Sequence, residues 1–207
     1  ARARHDVVAF TDANTRWEAG TLRALVAPFE DAEVGGVAGD QRYLPATTEA
    51  DAVAAGEATY WSLDRQLKLA QSRAGSVTSA TGAAHALRRE LVPVVPPGVT
   101  DDFWISTAAI AAGRRLVFAP GARAHEPLAA DGRAEFSRKV RVMTRGLRAV
   151  RLRAQLLDPR RHGGYAIQLL VHKVMRRLGF VPLVLLAAGA ALGAAHDPLL
   201  AWAAALQ

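Results

Sequence analysis

Asp12 and Asn14 have the residue types and spacing for metal chemistry. They flank Ala13 and follow the apolar run Val7-Val8-Ala9-Phe10. Valine and phenylalanine favour a buried strand, so Asp12-Ala13-Asn14 falls where that strand opens into a loop. Alternate positions at a strand end aim two oxygen ligands at one point. Hard cations such as Mg²⁺ or Mn²⁺ take oxygen ligands and commonly share them with substrate phosphates. The same residues also suit a plain Asx turn, because Asp and Asn hydrogen-bond nearby backbone. A second acidic pair, Asp101-Asp102, follows a loop forced by Pro93, Pro96, Pro97 and Gly98 and opens a helix expected over 103–112. In one reading Thr100 or Asp101 caps that helix and the acids complement its dipole. In the other, one carboxylate is a general base projected into a site. Gly82, inside the small-residue run Ser79-Ala80-Thr81-Gly82-Ala83-Ala84, either lets a ligand approach the backbone or makes a tight turn.

The elements that must position these residues read as α/β. A short helix over 21–29 and a strand over 34–44 follow the Asp12 loop. A helix over 46–73 comes next, with Tyr60, Trp61, Leu63 and Leu67 available to pack inward. Two further strands are expected over 115–119 and 122–126, the second closed by Glu126.

The charge of the 207-residue chain is uneven. Residues 1–137 carry 14 Lys/Arg against 17 Asp/Glu, and residues 138–207 carry 12 against 2. Such asymmetry points to a nucleic-acid or a membrane surface. Few aromatic residues lie among the arginines, so base stacking is poorly supported and nucleic acid is not an expected partner. The basic region leads into residues 178–195, eighteen residues without a charge, preceded by Arg176-Arg177 and followed by His196-Asp197-Pro198. As a helix this segment is about 27 Å long, close to the roughly 30 Å bilayer core. A membrane span is therefore expected there, with the basic side cytoplasmic, a turn at 196–198 and the start of a second span over 199–206. Before the span, Val140, Met143, Leu147, Val150, Ala154 and Leu157 share one helical face, and Arg138, Arg141, Arg145 and Arg148 the nearly opposite one. A second helical stretch is expected over 165–175, after the His162-Gly163-Gly164 breaker. The absence of cysteine excludes disulfides and thiolate chemistry. The chain opens on Ala-Arg-Ala-Arg rather than Met and stops within an apolar run, so it is expected to be a piece of a longer protein.

Five short motifs occur in a telling order: Phe10-Thr11-Asp12-Ala13-Asn14-Thr15, Ser79-Ala80-Thr81-Gly82-Ala83, Thr100-Asp101-Asp102-Phe103, Ala124-His125-Glu126 and Arg138-Lys139-Val140-Arg141. With the arginine-rich helix and the apolar segment, the chain resembles membrane-bound family 2 glycosyltransferases, such as the synthases of cellulose, hyaluronan and poly-N-acetylglucosamine. The resemblance covers roughly residues 5–195. It implies a partial GT-A fold over 1–137, basic interfacial helices over 138–177 and membrane segments over 178–207. It also implies a protein of the cell membrane, multi-pass at full length, with its catalytic domain cytoplasmic. The activity implied is inverting sugar transfer from a nucleotide-sugar to a carbohydrate or lipid-linked acceptor. Asp12 and Asn14 match the positions that hold Mg²⁺ or Mn²⁺ on the donor diphosphate. Asp102 matches the general base, with Asp101 beside it and Gly82 as further substrate-binding positions. Arg138 and Arg141 match the arginines near the diphosphate and acceptor.

The chain departs from the family pattern in four respects. Asn14 stands for the second Asp, which makes one metal ligand neutral, and Asp101 stands for Glu. Val142 stands for the Trp associated with acceptor polymer, which weakens any expectation of processivity. The nucleotide-binding half expected before residue 1 is absent from the chain. An Asp-x-Asn-Thr strand end also fits a haloacid-dehalogenase-like phosphohydrolase with Asp12 as nucleophile. A basic membrane-anchored scaffold is the non-enzymatic alternative.

Overall fold

A computed structural model describes residues 3–43, 51–126 and 132–193. The apolar run before Asp12 forms strand β1, Val7–Phe10. Strand β2, Arg16–Trp17, and helix α1, Thr21–Val26, follow the Asp12 loop. Pro28 supplies no N–H to continue α1, so the remainder of the expected helix tightens into a 3₁₀ turn, Ala27–Glu30. Next come β3, Val34–Tyr43, α2, Asp51–Ala74, and β4, His85–Arg88. The helix after the proline loop is broken at Thr107 into α3, Asp101–Ser106, and α4, Ala108–Ala111. Strand β5, Arg115–Glu126, completes the sheet.

The five strands form one mixed sheet in the order β1-β4-β3-β5-β2. β4 is antiparallel to β1 and β3, β3 is parallel to β5, and β2 is antiparallel to β5. The sequence predicts two strands where the structure has only β5. Its register against β3 jumps from Gly39↔Ala119 to Asp40↔Arg123, so Pro120, Gly121 and the buried Ala122 form a bulge and pairing resumes at Arg123. Alternation along β5 divides the core between the two faces. Leu116 and Phe118 pack with Val77, Phe103 and Ile110, whereas Val117 and Ala119 pack with Leu25, Phe29 and Val37.

Helix α2 corrects the sequence reading. Leu63 and Leu67 are exposed. The polar face of Asp64, Lys68 and Gln71 is the better covered one, and the neighbouring Ser72 Oγ accepts from the Phe118 N–H at 2.9 Å. Polar side chains bonding to backbone thus outcompete apolar periodicity in orienting this helix. The side chains of Tyr60 and Trp61 lie outside the described residues.

The C-terminal region runs through α5, Gly132–Leu152, a 3₁₀ turn, Ala154–Leu157, α6, Pro159–His162, and α7, Gly164–Leu169. A π-helical turn, Leu170–Met175, and α8, Phe180–Gly193, follow. The expected apolar stripe of 140–157 is buried only toward its end. Val150 is buried, whereas Val140 and Met143 are exposed; past the helix end at Leu152 the 3₁₀ turn makes Leu156 rather than Leu157 the fully buried position. Tyr165 ties this region to the sheet domain, its hydroxyl donating to the Thr78 carbonyl at 2.9 Å. The apolar helix is 14 residues long as α8, and among the described residues no helix is long and apolar enough to cross a membrane. The turn at 196–198 and the segment 199–206 lie outside the described residues.

Candidate active site

The loop carrying Asp12 and Asn14 is bound to the sheet on both sides. Glu126, buried at the end of β5, accepts from Thr15 Oγ1 at 3.1 Å and Gln41 Nε2 at 2.7 Å. Thr11 Oγ1 and Trp17 Nε1 both donate to the Ala83 carbonyl, at 3.1 and 2.9 Å. Two motifs far apart in sequence, around Asp12 and around Gly82, are thereby joined. Asn14 is exposed in the same loop.

Gly82 lies directly against Asp12. A Cβ on Gly82 would collide with the Asp12 carboxylate and come within 2.8 Å of its Cγ. The close approach is therefore made by a side chain of the site itself, and the glycine reserves the space that Asp12 occupies. The clash is with the free end of a side chain, so Gly82→Ala should fold normally while pushing Asp12 aside. Displacements of about 1 Å at a reacting site cost on the order of 10²-fold. Melting temperature unchanged from wild type with turnover reduced to that extent is the expected result. Full turnover would remove Asp12 from the site.

Helix α3 presents Asp101 and Asp102. Thr100 occupies the N-cap position without a side-chain cap bond, and Asp101 is exposed. Asp102 Oδ1 instead accepts from the Phe103 N–H at 2.7 Å. α3 is anchored by its next residue, as Trp104 Nε1 donates to the Val94 carbonyl at 3.0 Å and Arg153 stacks over the Trp104 ring at 4.1 Å.

Asp12, Asp101 and Asp102 share one electrostatic environment. Partial burial, then the charges of Asp101 and Asp102, raise the pKa of Asp12, with His85 opposing. Burial also raises Asp102, against the pull of Lys173, the Phe103 N–H and Arg177. A carboxylate with a raised pKa is a stronger proton acceptor than an exposed one, as general-base chemistry requires. Crowded carboxylates also create a demand for positive charge, which a bound cation satisfies. Among the described residues no three His, Asp or Glu side chains converge on a metal position. A cation at Asp12 therefore needs oxygen ligands beyond the protein, as Mg²⁺-type sites completed by phosphates and water do.

The sequence profile described as "Glycosyltransferase like family 2" matches residues 1–149. The chain belongs to that glycosyltransferase family. No curated protein matches it. Among solved structures it is similar to a mannosyltransferase from Pyrobaculum calidifontis in complex with GDP-Man and Mn²⁺, with 24% identity and a TM-score of 0.65. The match covers 99% of this chain and 56% of the other, so the glycosyltransferase chain spans little over half the length of that relative. At this identity the likeness establishes the fold, an α/β GT-A-like architecture.

The glycosyltransferase fold places the predicted residues unequally. Asp12 packs on Gly82 and feels the charges of Asp101 and Asp102. Arg138 and Arg141 stand on the exposed N-terminal half of α5. The cations that act on Asp102 are Lys173 and Arg177, which the sequence reading left in a linking helix and a membrane flank. Their spacing of four residues was a usable signal, but nothing in it pointed to Asp102. His85 was also missed. It is 3% exposed, stacks on Phe10 with centroids 4.8 Å apart, and burial pushes it down to about 4. Its Nδ1 lies 3.0 Å from the Thr81 carbonyl, which can only accept, so Nδ1 carries the proton and the ring is neutral at physiological pH.

Proposed function

We propose that residues 1–137 are the C-terminal portion of the catalytic domain of an inverting glycosyltransferase, moving a sugar from a nucleoside-diphosphate donor to an acceptor hydroxyl. The observation that carries this reading is the packing of Asp12 on Gly82, with the charges of Asp101 and Asp102 acting on it, within a GT-A-like fold. The relative's GDP-Man and Mn²⁺ support a nucleotide-sugar donor and a divalent cation, Mg²⁺ or Mn²⁺. Asp12 and Asn14 would hold that cation on the donor diphosphate, where it supplies positive charge to the departing group. Asp102 accepts the proton of the acceptor hydroxyl as its oxygen bonds to the anomeric carbon. The bond from that carbon to the diphosphate breaks on the opposite side, which inverts the configuration and needs no covalent enzyme intermediate. Asp101 and Gly82 contribute to the substrate site, and Arg138 and Arg141, on the exposed part of α5, to diphosphate contacts.

A position at the cytoplasmic face of the cell membrane is supported by α8, where Leu183, Leu185 and Leu192 are 66%, 67% and 80% exposed beside a strongly basic flank. Domain limits of 1–137, 138–177 and 178–207 and a carbohydrate or lipid-linked acceptor complete the proposal. One experiment tests it on the full-length protein in liposomes: titration with GDP and other nucleoside diphosphates, with and without Mn²⁺, followed by assay of sugar transfer. Metal-dependent binding and transfer are expected. Phosphoester hydrolysis without transfer would favour the phosphohydrolase reading. Neither activity, with liposome binding retained, would favour a scaffold.

A further inference from the structure

We propose that Lys173 and Arg177 are positioning residues for Asp102: two cations on the segment leading into α8 that hold its carboxylate in the charged, proton-accepting form. This rests on the reading of Asp102 as the base. The two residues are four apart and flank the end of the π-helical turn Leu170–Met175, where the Arg176 N–H bonds back five residues to the Val171 carbonyl at 3.2 Å. A π-turn adds one residue to the helix and rotates the residues beyond it by about 100°. The turn therefore sets the face on which Arg177 emerges relative to Lys173.

Lys173 lies against the helix that carries the base, and Arg177 against α5, which packs on that helix. Lys173 Nζ sits 5.9 Å from the centroid of Phe103, the residue whose N–H binds Asp102. The Arg177 guanidinium covers Gly146 of α5, where any Cβ would collide with it. Its Nη1 is buried without a hydrogen-bond partner among the described residues. A buried cation is costly unless an anion compensates it, and Asp102 is the carboxylate whose charge acts on both. The other groups acting here do not replace it. Asp64 and Lys68 of α2 are bonded to each other at 2.8 Å, while Asp101 and Arg176 repel Asp102 and Arg177 respectively. Burial also brings Lys173 down to about 8, so it loses its charge in mildly alkaline solution.

The test uses the full-length enzyme and the variants Lys173→Met, Lys173→Arg, Arg177→Met and Gly146→Ala. Two readouts are followed: the pH profile of turnover, and the pH midpoint at which a carbodiimide labels Asp102, read by peptide mass spectrometry. An opposite charge nearby lowers a carboxyl pKa by about one unit or more. Lys173→Met and Arg177→Met should therefore move the acid limb and the labelling midpoint up by about one pH unit, with donor KM little changed. Lys173→Arg, which keeps the positive charge, should restore both the acid limb and the labelling midpoint. Gly146→Ala, which only displaces Arg177, should reproduce Arg177→Met and covers the case in which a cation-deleting variant does not fold. Wild-type labelling midpoints in folded Lys173→Met and Arg177→Met protein would overturn the inference whether or not transfer is detected. Wild-type turnover in Asp102→Asn would instead overturn the base assignment, a result read on a different variant.

Discussion

Asp102→Asn should lower turnover by roughly 10²–10⁴-fold and leave donor binding largely intact, because a carboxamide keeps the shape of the side chain but cannot take a proton at neutral pH. The same change acts on stability in two opposing ways. Burial raises the pKa of Asp102 in the folded protein, so the native state holds the proton more tightly than the unfolded chain. For such a group, stability falls as pH rises between the unfolded and folded pKa values, and at neutral pH the ionised carboxylate costs stability. Asparagine removes that cost but leaves Lys173 and Arg177 without the anion that compensates them. A loss of turnover of that size in folded protein that still binds donor is the signature of a base, whereas parallel loss of folding and donor binding would mark Asp102 as structural. Turnover at the wild-type level would return Asp102 to the role of binding the Phe103 N–H.

Asp12→Ala should abolish the metal dependence of donor binding and lower turnover by about 10²–10³-fold, the range seen when one preorganised contact to developing charge is removed. Thermal shift provides an independent measurement. A ligand present at a hundred times its dissociation constant stabilises the native state by about 2.7 kcal/mol. Wild-type enzyme with Mn²⁺ and nucleoside diphosphate should show that upward shift, and Asp12→Ala should show almost none. Without ligand, the variant should melt no lower than wild type. Asp12 is exposed at the loop surface, yet desolvation of its carboxylate, then the charges of Asp101 and Asp102, raise its pKa, so its ionised form at neutral pH carries a cost that alanine relieves. A metal-dependent shift of wild-type size in the variant would place the cation elsewhere.

Local chemistry was legible in the sequence. The valine-rich run before Asp12 is a strand, the proline loop delivers Asp101 and Asp102 to a helix start, and the His162-Gly163-Gly164 breaker precedes α7. Each of these features arises from side-chain and backbone preferences that act within a few residues. The order of five motifs carried the family, and the matching profile bears that out. Where long-range contacts compete with local pattern, the sequence reading departed from the structure. Parallel pairing with β3 carries β5 across a bulge at Pro120 and Gly121, and backbone hydrogen bonds turn the polar face of α2 inward in place of Leu63 and Leu67.

Only the tertiary structure decided which groups meet. Gly82 read equally well as a turn or as a ligand contact, and its packing on Asp12 shows that it makes room for a side chain far earlier in the chain. Arg177 looked like a membrane flank because charge next to an apolar segment is all that composition records. Its seat on Gly146 and its effect on Asp102 depend on a π-turn that local propensity does not signal. Residue types and short spacings are written in the chain, but electrostatic partnership depends on distance in space. That distance is set by the packing of helices that lie far from the site in sequence.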